Sequence, residues 1–144
     1  FDLKIRNYSG SNVWKLMKDI SIVEDITIKE ARNKPEVIEL LRENRQLKNK
    51  VGGYYIASND SSVVSYAYQR KYKLNELEKV FVCTDGFDID VLGMTKEKFM
   101  HNISDNNIEY YAKEIKRKLL EDKNWEKYQN RFKDCDDITA IKVL

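Results

Sequence analysis

The run Val80-Phe81-Val82-Cys83 constrains this chain more than any other stretch, because it is continuously apolar and stops abruptly at Thr84-Asp85-Gly86. A short apolar run with no polar alternation reads as a strand covered on both faces, so the fold around it must be layered. Elsewhere the period changes from segment to segment. Phe1, Leu3 and Ile5 alternate with Asp2, Lys4 and Arg6, as in a half-buried strand. Ser9-Gly10-Ser11-Asn12 is turn chemistry, and Val13 to Met17 reads as the second arm of a hairpin, followed by a loop with some extended structure over 18–26. Thr27 and Glu30 have capping-box spacing and open a short helix that Pro35 interrupts or ends.

From Glu36, Val37, Leu40, Leu41 and Leu47 form a helical stripe on a charged segment, which Gly52-Gly53 stops. Tyr54 to Ala57 reads as a strand, Asn59 to Ser62 as a loop, and Val64, Tyr66, Tyr68 and Tyr72 as another extended segment. The last third reads as helical. Thr95 or a neighbour caps a short helix holding Phe99 and Met100. Ser104 starts a longer one, with Ile108, Tyr111, Ala112, Ile115 and Leu119 on one face and Glu109–Lys113 and Glu114–Lys118 as wet-side pairs. Trp125, Tyr128 and Phe132 suggest a third short helix, and Ile138 to Leu144 a final strand. Strands and helices in blocks make an α+β pattern, with helices packed on an antiparallel sheet. The Val80–Thr84 and Ile138–Val143 strands are expected side by side. At 144 residues the chain has the length of one domain.

Composition narrows the function classes. Twenty-six Lys+Arg against 24 Asp+Glu leaves +2, so there is no basic excess to neutralise phosphates, and a nucleic-acid partner is not expected. No apolar run reaches the ~18 residues of a membrane span. Two cysteines make no disulfide framework, and the expectation is a reduced, cytoplasmic protein.

Hydrolytic chemistry with a protein nucleophile lacks its parts. The one histidine, His101, lies in an amphipathic helix, and Cys83 lies in an apolar strand where a thiol is inert. Four-ligand zinc sites are out of reach of three widely spaced Cys and His residues. Gly52-Gly53 precedes a strand, which is not the context of a phosphate-binding loop. Carboxylates remain. Asp85 stands where the apolar strand exits, with Gly86 permitting a sharp turn, and Asp136 and Asp137 stand just before the last strand, after Asp134. Carboxylates at the ends of neighbouring strands can converge on a hard cation. The alternative is a simple turn and a solvated acidic loop.

Val80-Phe81-Val82-Cys83-Thr84-Asp85-Gly86-Phe87 resembles the hydrophobic strand ending in Ser/Thr-Asp-Gly-Leu/Phe of the metal-dependent type-2C serine/threonine protein phosphatases. Asp136-Asp137-Ile138-Thr139-Ala140-Ile141-Lys142-Val143 resembles that family's closing Asp-Asn/Asp-x-Thr strand, and Gly53-Tyr54-Tyr55-Ile56 is similar to a segment of its compact bacterial branch. Ser9 to Trp14 sits where the family has Gly-Asp-Ser-x-Val/Ile-Tyr, with Gly10 in place of the Asp. The resemblance implies an α-β-β-α sandwich of two antiparallel sheets flanked by helices, and hydrolysis of phosphoserine and phosphothreonine in proteins. It implies Asp85 and Asp136 as ligands of Mg2+ or Mn2+, with two or more ions in the complete domain and a metal-bound water as nucleophile rather than a catalytic side chain. Gly86 and Asp137 support the site. The family's other acidic ligands, including an earlier Asp-Gly, have no counterpart here, since Asp85-Gly86 is the one Asp-Gly present. With Phe1 already in a strand, the chain is expected to be the C-terminal portion of a bacterial-type phosphatase. Its partners would be a phosphoprotein substrate and the missing N-terminal half or a second copy of the chain. Alone, it is expected to be inactive. A phosphatase-like binding or regulatory module without catalysis is the rival reading, and an unrelated α+β domain is a third.

Overall fold

The computed structural model describes residues 9–50, 53–56, 61–66 and 69–143. The strand expected at Phe1 to Arg6, Ala57 of the Tyr54–Ala57 strand, and Tyr68 lie outside them. Two compact units divide the chain, Phe1–Arg70 and Lys71–Leu144.

In the first unit, α1 (Ser9–Glu24) replaces the expected hairpin and the loop after it. Val13, Trp14 and Met17 are buried on one side of α1, at helical spacing. Val13 to Met17, apolar at every position but Lys15, satisfies either period, and packing against α2 and α3 settles it as helix. Gly10 and Asn12, expected in a turn, fall in the first turns of α1 instead. Asp25, at φ 53°, turns the chain out of α1.

Thr27 then caps α2 (Ile28–Ala31) with the expected capping box. Its Oγ1 accepts from the Glu30 N–H at 3.1 Å, and the Glu30 carboxylate accepts from the Thr27 N–H at 2.8 Å. That reciprocal bond holds the Glu30 carboxyl below its usual range. Pro35 ends nothing further. It takes the first position of α3 (Pro35–Gln46), where its missing N–H is no loss. Val37 is the one fully buried residue of the α3 stripe, and Leu47 just beyond α3 is exposed. A Cβ on Gly53 would lie 1.9 Å from the Leu47 carbonyl oxygen, so glycine is needed for this close return. The strand expected from Tyr54 reduces to one parallel bridge, Lys48 to Tyr54. Residues 61–66, expected as loop and extended chain, form a 3-10 turn.

The second unit pairs β1 (Phe81–Cys83) antiparallel with β2 (Ala140–Lys142), in the register Phe81↔Lys142, Val82↔Ile141, Cys83↔Ala140. The two strands lie side by side as expected. Phe81, Ile138 and Ala140 face a core of Phe87, Val91, Phe99, Ile103, Tyr111, Ile115 and Leu119. Phe81 meets Phe87 and Phe99 edge-on, both at 5.2 Å between ring centroids. The helices supplying this core are α4 (Lys96–Asn102), capped by Thr95 as expected, and α5 (Ile108–Glu121). α5 starts after Asn107 rather than at Ser104, because the Asn107 side chain accepts from the Ser104 N–H at 2.8 Å and closes a turn first. Its apolar face is the expected one. Glu109 pairs with Lys113 at 2.6 Å, whereas Glu114 pairs with Arg117 at 2.9 Å in place of Lys118, whose ammonium donates to the Val91 carbonyl.

Covering of β1 on both faces is corrected. Val82 is 57% exposed and its cross-strand neighbour Ile141 58%, so core side chains cover one face of the pair only. The third helix is also corrected. Residues 122–135 are an irregular loop built on Asp122, whose carboxylate accepts from the backbone N–H groups of Glu126, Lys127 and Tyr128. The described residues thus hold five α-helices and a two-stranded antiparallel sheet, a mixed α and β chain. None of these helices is long and apolar enough to cross a membrane.

Candidate functional site

The Asp85-Gly86 turn is fixed from both ends. After β1, the Thr84 N–H donates to the Thr139 carbonyl at 2.9 Å, prolonging the β1–β2 ladder by one residue. The Thr84 hydroxyl donates to the Asp137 carbonyl at 2.9 Å and accepts from the Thr139 N–H at 3.0 Å. Three residues later the Phe87 N–H closes a turn on the Thr84 carbonyl at 3.0 Å, and the Phe87 ring is buried in the core. Asp85 and Gly86 are therefore the central pair of a four-residue turn.

Gly86 is buried against the last acidic segment. A Cβ there would lie 2.4 Å from the Asp137 carbonyl oxygen and 3.1 Å from the Asp136 Cβ. Both partners are on the chain leading into β2, so the glycine permits the backbone contact that brings Asp85-Gly86 onto Asp136-Asp137. All four residues singled out from the sequence, Asp85, Gly86, Asp136 and Asp137, meet at one end of the strand pair. Asp134 does not join them. Its carboxylate accepts from the Trp125 indole N–H at 3.0 Å and faces the 122–135 loop.

The sequence pattern does not single out one charged group that stands here. Lys133 Nζ lies 2.5 Å from Asp136 Oδ1, on a side chain 60% exposed. The same oxygen accepts from the Asp137 N–H at 2.8 Å. Lys133 is the main reason the Asp136 carboxyl sits below its ordinary range, with partial burial opposing the shift and the Asp137 N–H adding to it. Reciprocally, the Lys133 ammonium is held more basic, first by its hydrogen bond to Asp136 and then by the fields of Asp136, Asp137 and Asp85. The i,i+3 spacing of Lys133 and Asp136 was the available signal, and it is legible only once the loop is known to turn there.

Arg131 anchors this loop from below. It is buried, pairs with Asp122 Oδ2 at 2.9 Å, and donates to the carbonyls of Leu119 and Asp134. The backbone on either side of Lys133 is thereby tied to α5. Asp88, nearby in sequence, uses its carboxylate to cap the 3-10 turn Ile89–Leu92, and burial pushes that carboxyl up.

Carboxylate oxygens suit a hard cation such as Mg2+ or Mn2+ in kind. In number, no three His, Cys, Asp or Glu side chains gather as a metal shell among the described residues. One or two carboxylates with waters and a phosphate group is an ordinary shell for Mg2+, and Asp85 and Asp136 are carboxylates on the two segments that meet at Gly86. Elsewhere, His101 is exposed in the last turn of α4. Cys83 is exposed rather than enclosed in the strand, although partial desolvation still pushes its thiol up. No family model, curated protein or solved structure matches the chain.

Proposed function

We propose that the chain forms the C-terminal part of a metal-dependent phosphatase domain of the type-2C kind, hydrolysing phosphoserine and phosphothreonine in proteins. The observation that carries this reading is the seating of Gly86 on the Asp136–Asp137 backbone, which joins the two acidic motifs across an antiparallel strand pair. Asp85 and Asp136 would hold Mg2+ or Mn2+. A cation pair there would supply an activated water and offset charge on the phosphoryl oxygens. The chain's own residues do the positioning. Thr84 locks the turn to β2, Gly86 allows the approach, and the Asp137 N–H orients Asp136 through Oδ1. The remaining acidic ligands would come from another segment of the domain or a second copy of the chain.

The same reading extends the β1–β2 pair into an α-β-β-α sandwich, for which the exposed Val82–Ile141 face offers a second layer its seat. Two free cysteines suit a cytoplasmic setting. Lys133 favours a second reading, a binding module without catalysis, since its ammonium already compensates Asp136.

Thermal unfolding with and without millimolar Mn2+ tests the metal site. The chain should gain several degrees, and Asp85→Asn or Asp136→Asn should lose most of that gain. Asp134→Asn, which can still accept from Trp125, should keep it. An undiminished shift in Asp85→Asn would return Asp85 to the role of a turn residue. Turnover of a phosphothreonine peptide separates the two readings. In the phosphatase it appears with Mn2+ once the other acidic ligands are supplied; in the binding module it never does.

A further inference from the structure

We propose that the outer edge of β1 binds a second copy of the chain, strand to strand and antiparallel, in a dimer centred on Val82. The inference goes beyond the metal-site reading and does not depend on it. Among the described residues the sheet has two strands, so each strand is paired on one side only. The bonds to β2 fall on even-numbered residues. The Val143 N–H donates to the Val80 carbonyl at 2.8 Å, and the Thr84 N–H donates to the Thr139 carbonyl at 2.9 Å. Bonding direction alternates along an antiparallel strand, so the N–H and C=O groups of Phe81 and Cys83 point the other way. They meet no partner among the described residues. Such a row of donors and acceptors is a template for another strand. Natural edges are blunted by charge, proline or a bulge, and residues 80–84 hold no charge and no proline and pair in regular register, whereas β2 carries Lys142. Cys83 lies on the same side of β1 as Phe81 and is nevertheless exposed, so the core helices leave that end of the edge open.

Charge selects the second copy as the occupant. Lys79 stands three residues before Val82 and Asp85 three residues after it. A two-fold axis at Val82 sets Val82 against itself, Phe81 against Cys83, and Lys79 against Asp85 of the other copy. Both ends of the seam thus join opposite charges, and the outward-pointing residues fall opposite one another as the ladder requires. Lys79 is a fixed cation, since its ammonium donates to the Met100 and His101 carbonyls, both at 3.0 Å, at the end of α4. Asp85 is exposed, and its turn closes on Asp137, on the β2 side and away from the open edge. Each copy offers one such edge, so the pairing closes at two.

Sedimentation velocity of the intact chain over a concentration series tests this. A short seam makes a weak dimer, so the average mass should rise with concentration toward twice 17.1 kDa. Val82→Lys sets two ammonium groups against each other and should raise the dissociation constant about tenfold or more. Asp85→Lys, facing Lys79 of the other copy, should weaken the dimer in the same direction. Ile141→Lys, at an equally exposed apolar site on β2, should leave it near its original value. Val82→Cys in a Cys83→Ser background should oxidise to a covalent dimer, because opposite residues of a non-hydrogen-bonded pair have Cα atoms about 4.5 Å apart, within disulfide reach. Ile141→Cys in that background should not. A chain that stays monomeric up to about 1 mM, the weak end of specific association, would overturn the proposal. So would a dimer that Ile141→Lys disrupts as strongly as Val82→Lys, since the copies would then be stacked face to face rather than joined along β1.

Discussion

Gly86 shows how much one missing side chain decides here. The atoms a Cβ would strike are the Asp137 carbonyl oxygen and carbon, at 2.4 and 3.0 Å, and backbone cannot rotate away as a flexible side chain can. Gly86→Ala should therefore push the Asp85 turn off the Asp136–Asp137 segment. Overpacking of this kind costs about 1–3 kcal/mol, read as a lower urea midpoint with an unchanged slope. On the proposed metal-site reading, any stabilisation by Mn2+ should fall with it. A variant with the original midpoint would mean the two segments part without cost. Gly86 and both aspartates were legible in the sequence as types, because a turn at the end of an apolar strand needs glycine. Lys133 was not, since its value depends on which way the chain runs between Arg131 and Asp136.

Among the elements, the 122–135 loop carries the site without any regular structure of its own. Three aromatic residues at near-helical spacing, Trp125, Tyr128 and Phe132, suggested a helix. Asp122 prevails because one carboxylate satisfies three backbone N–H groups and a buried guanidinium, an arrangement that holds the backbone in successive bends. Trp125 and Asn130 adopt positive φ, 63° and 60°, which an α-helix excludes. Asp122→Ala would leave Arg131 buried without its counter-charge. Breaking such a pair costs about 3–5 kcal/mol, so the chain should melt far earlier in a thermal scan. Asp105→Ala removes the partner of Lys142, 3.2 Å away, but Asp105 is largely exposed and the change should cost at most about 1 kcal/mol. Similar losses for the two variants would contradict the buried network.

Across the whole molecule, the boundary at Arg70 and Lys71 coincides with a run, 69–76, in which every residue is exposed. Arg70, Lys71 and Lys73 lie within it. Limited trypsin digestion should therefore cut first in this run, releasing a fragment that extends to the C-terminus and carries β1, α4, α5 and β2. First cuts within α5, at Lys113 or Lys116, would argue that the second unit opens more readily than the run before it.

The sequence by itself determined what short-range chemistry governs. The Thr27–Glu30 capping box, the Thr95 cap, the buried face of α5 and the β1 and β2 strands each depend on residues a few positions apart, and each was readable from spacing. It also placed Asp85, Gly86, Asp136 and Asp137 as the residues to watch. Tertiary structure decided the rest. Val13 to Met17 is apolar at enough positions to serve either a strand or a helix, and only contact with α2 and α3 selects the helix. The run Val80 to Cys83 looks enclosed from its composition, yet burial depends on what lies across the sheet, and Val82 faces outward. The ion pair of Lys133 with Asp136 needs a pinned backbone, and Arg131 supplies it from a buried position that depends on α5 and Asp122, well outside any local pattern.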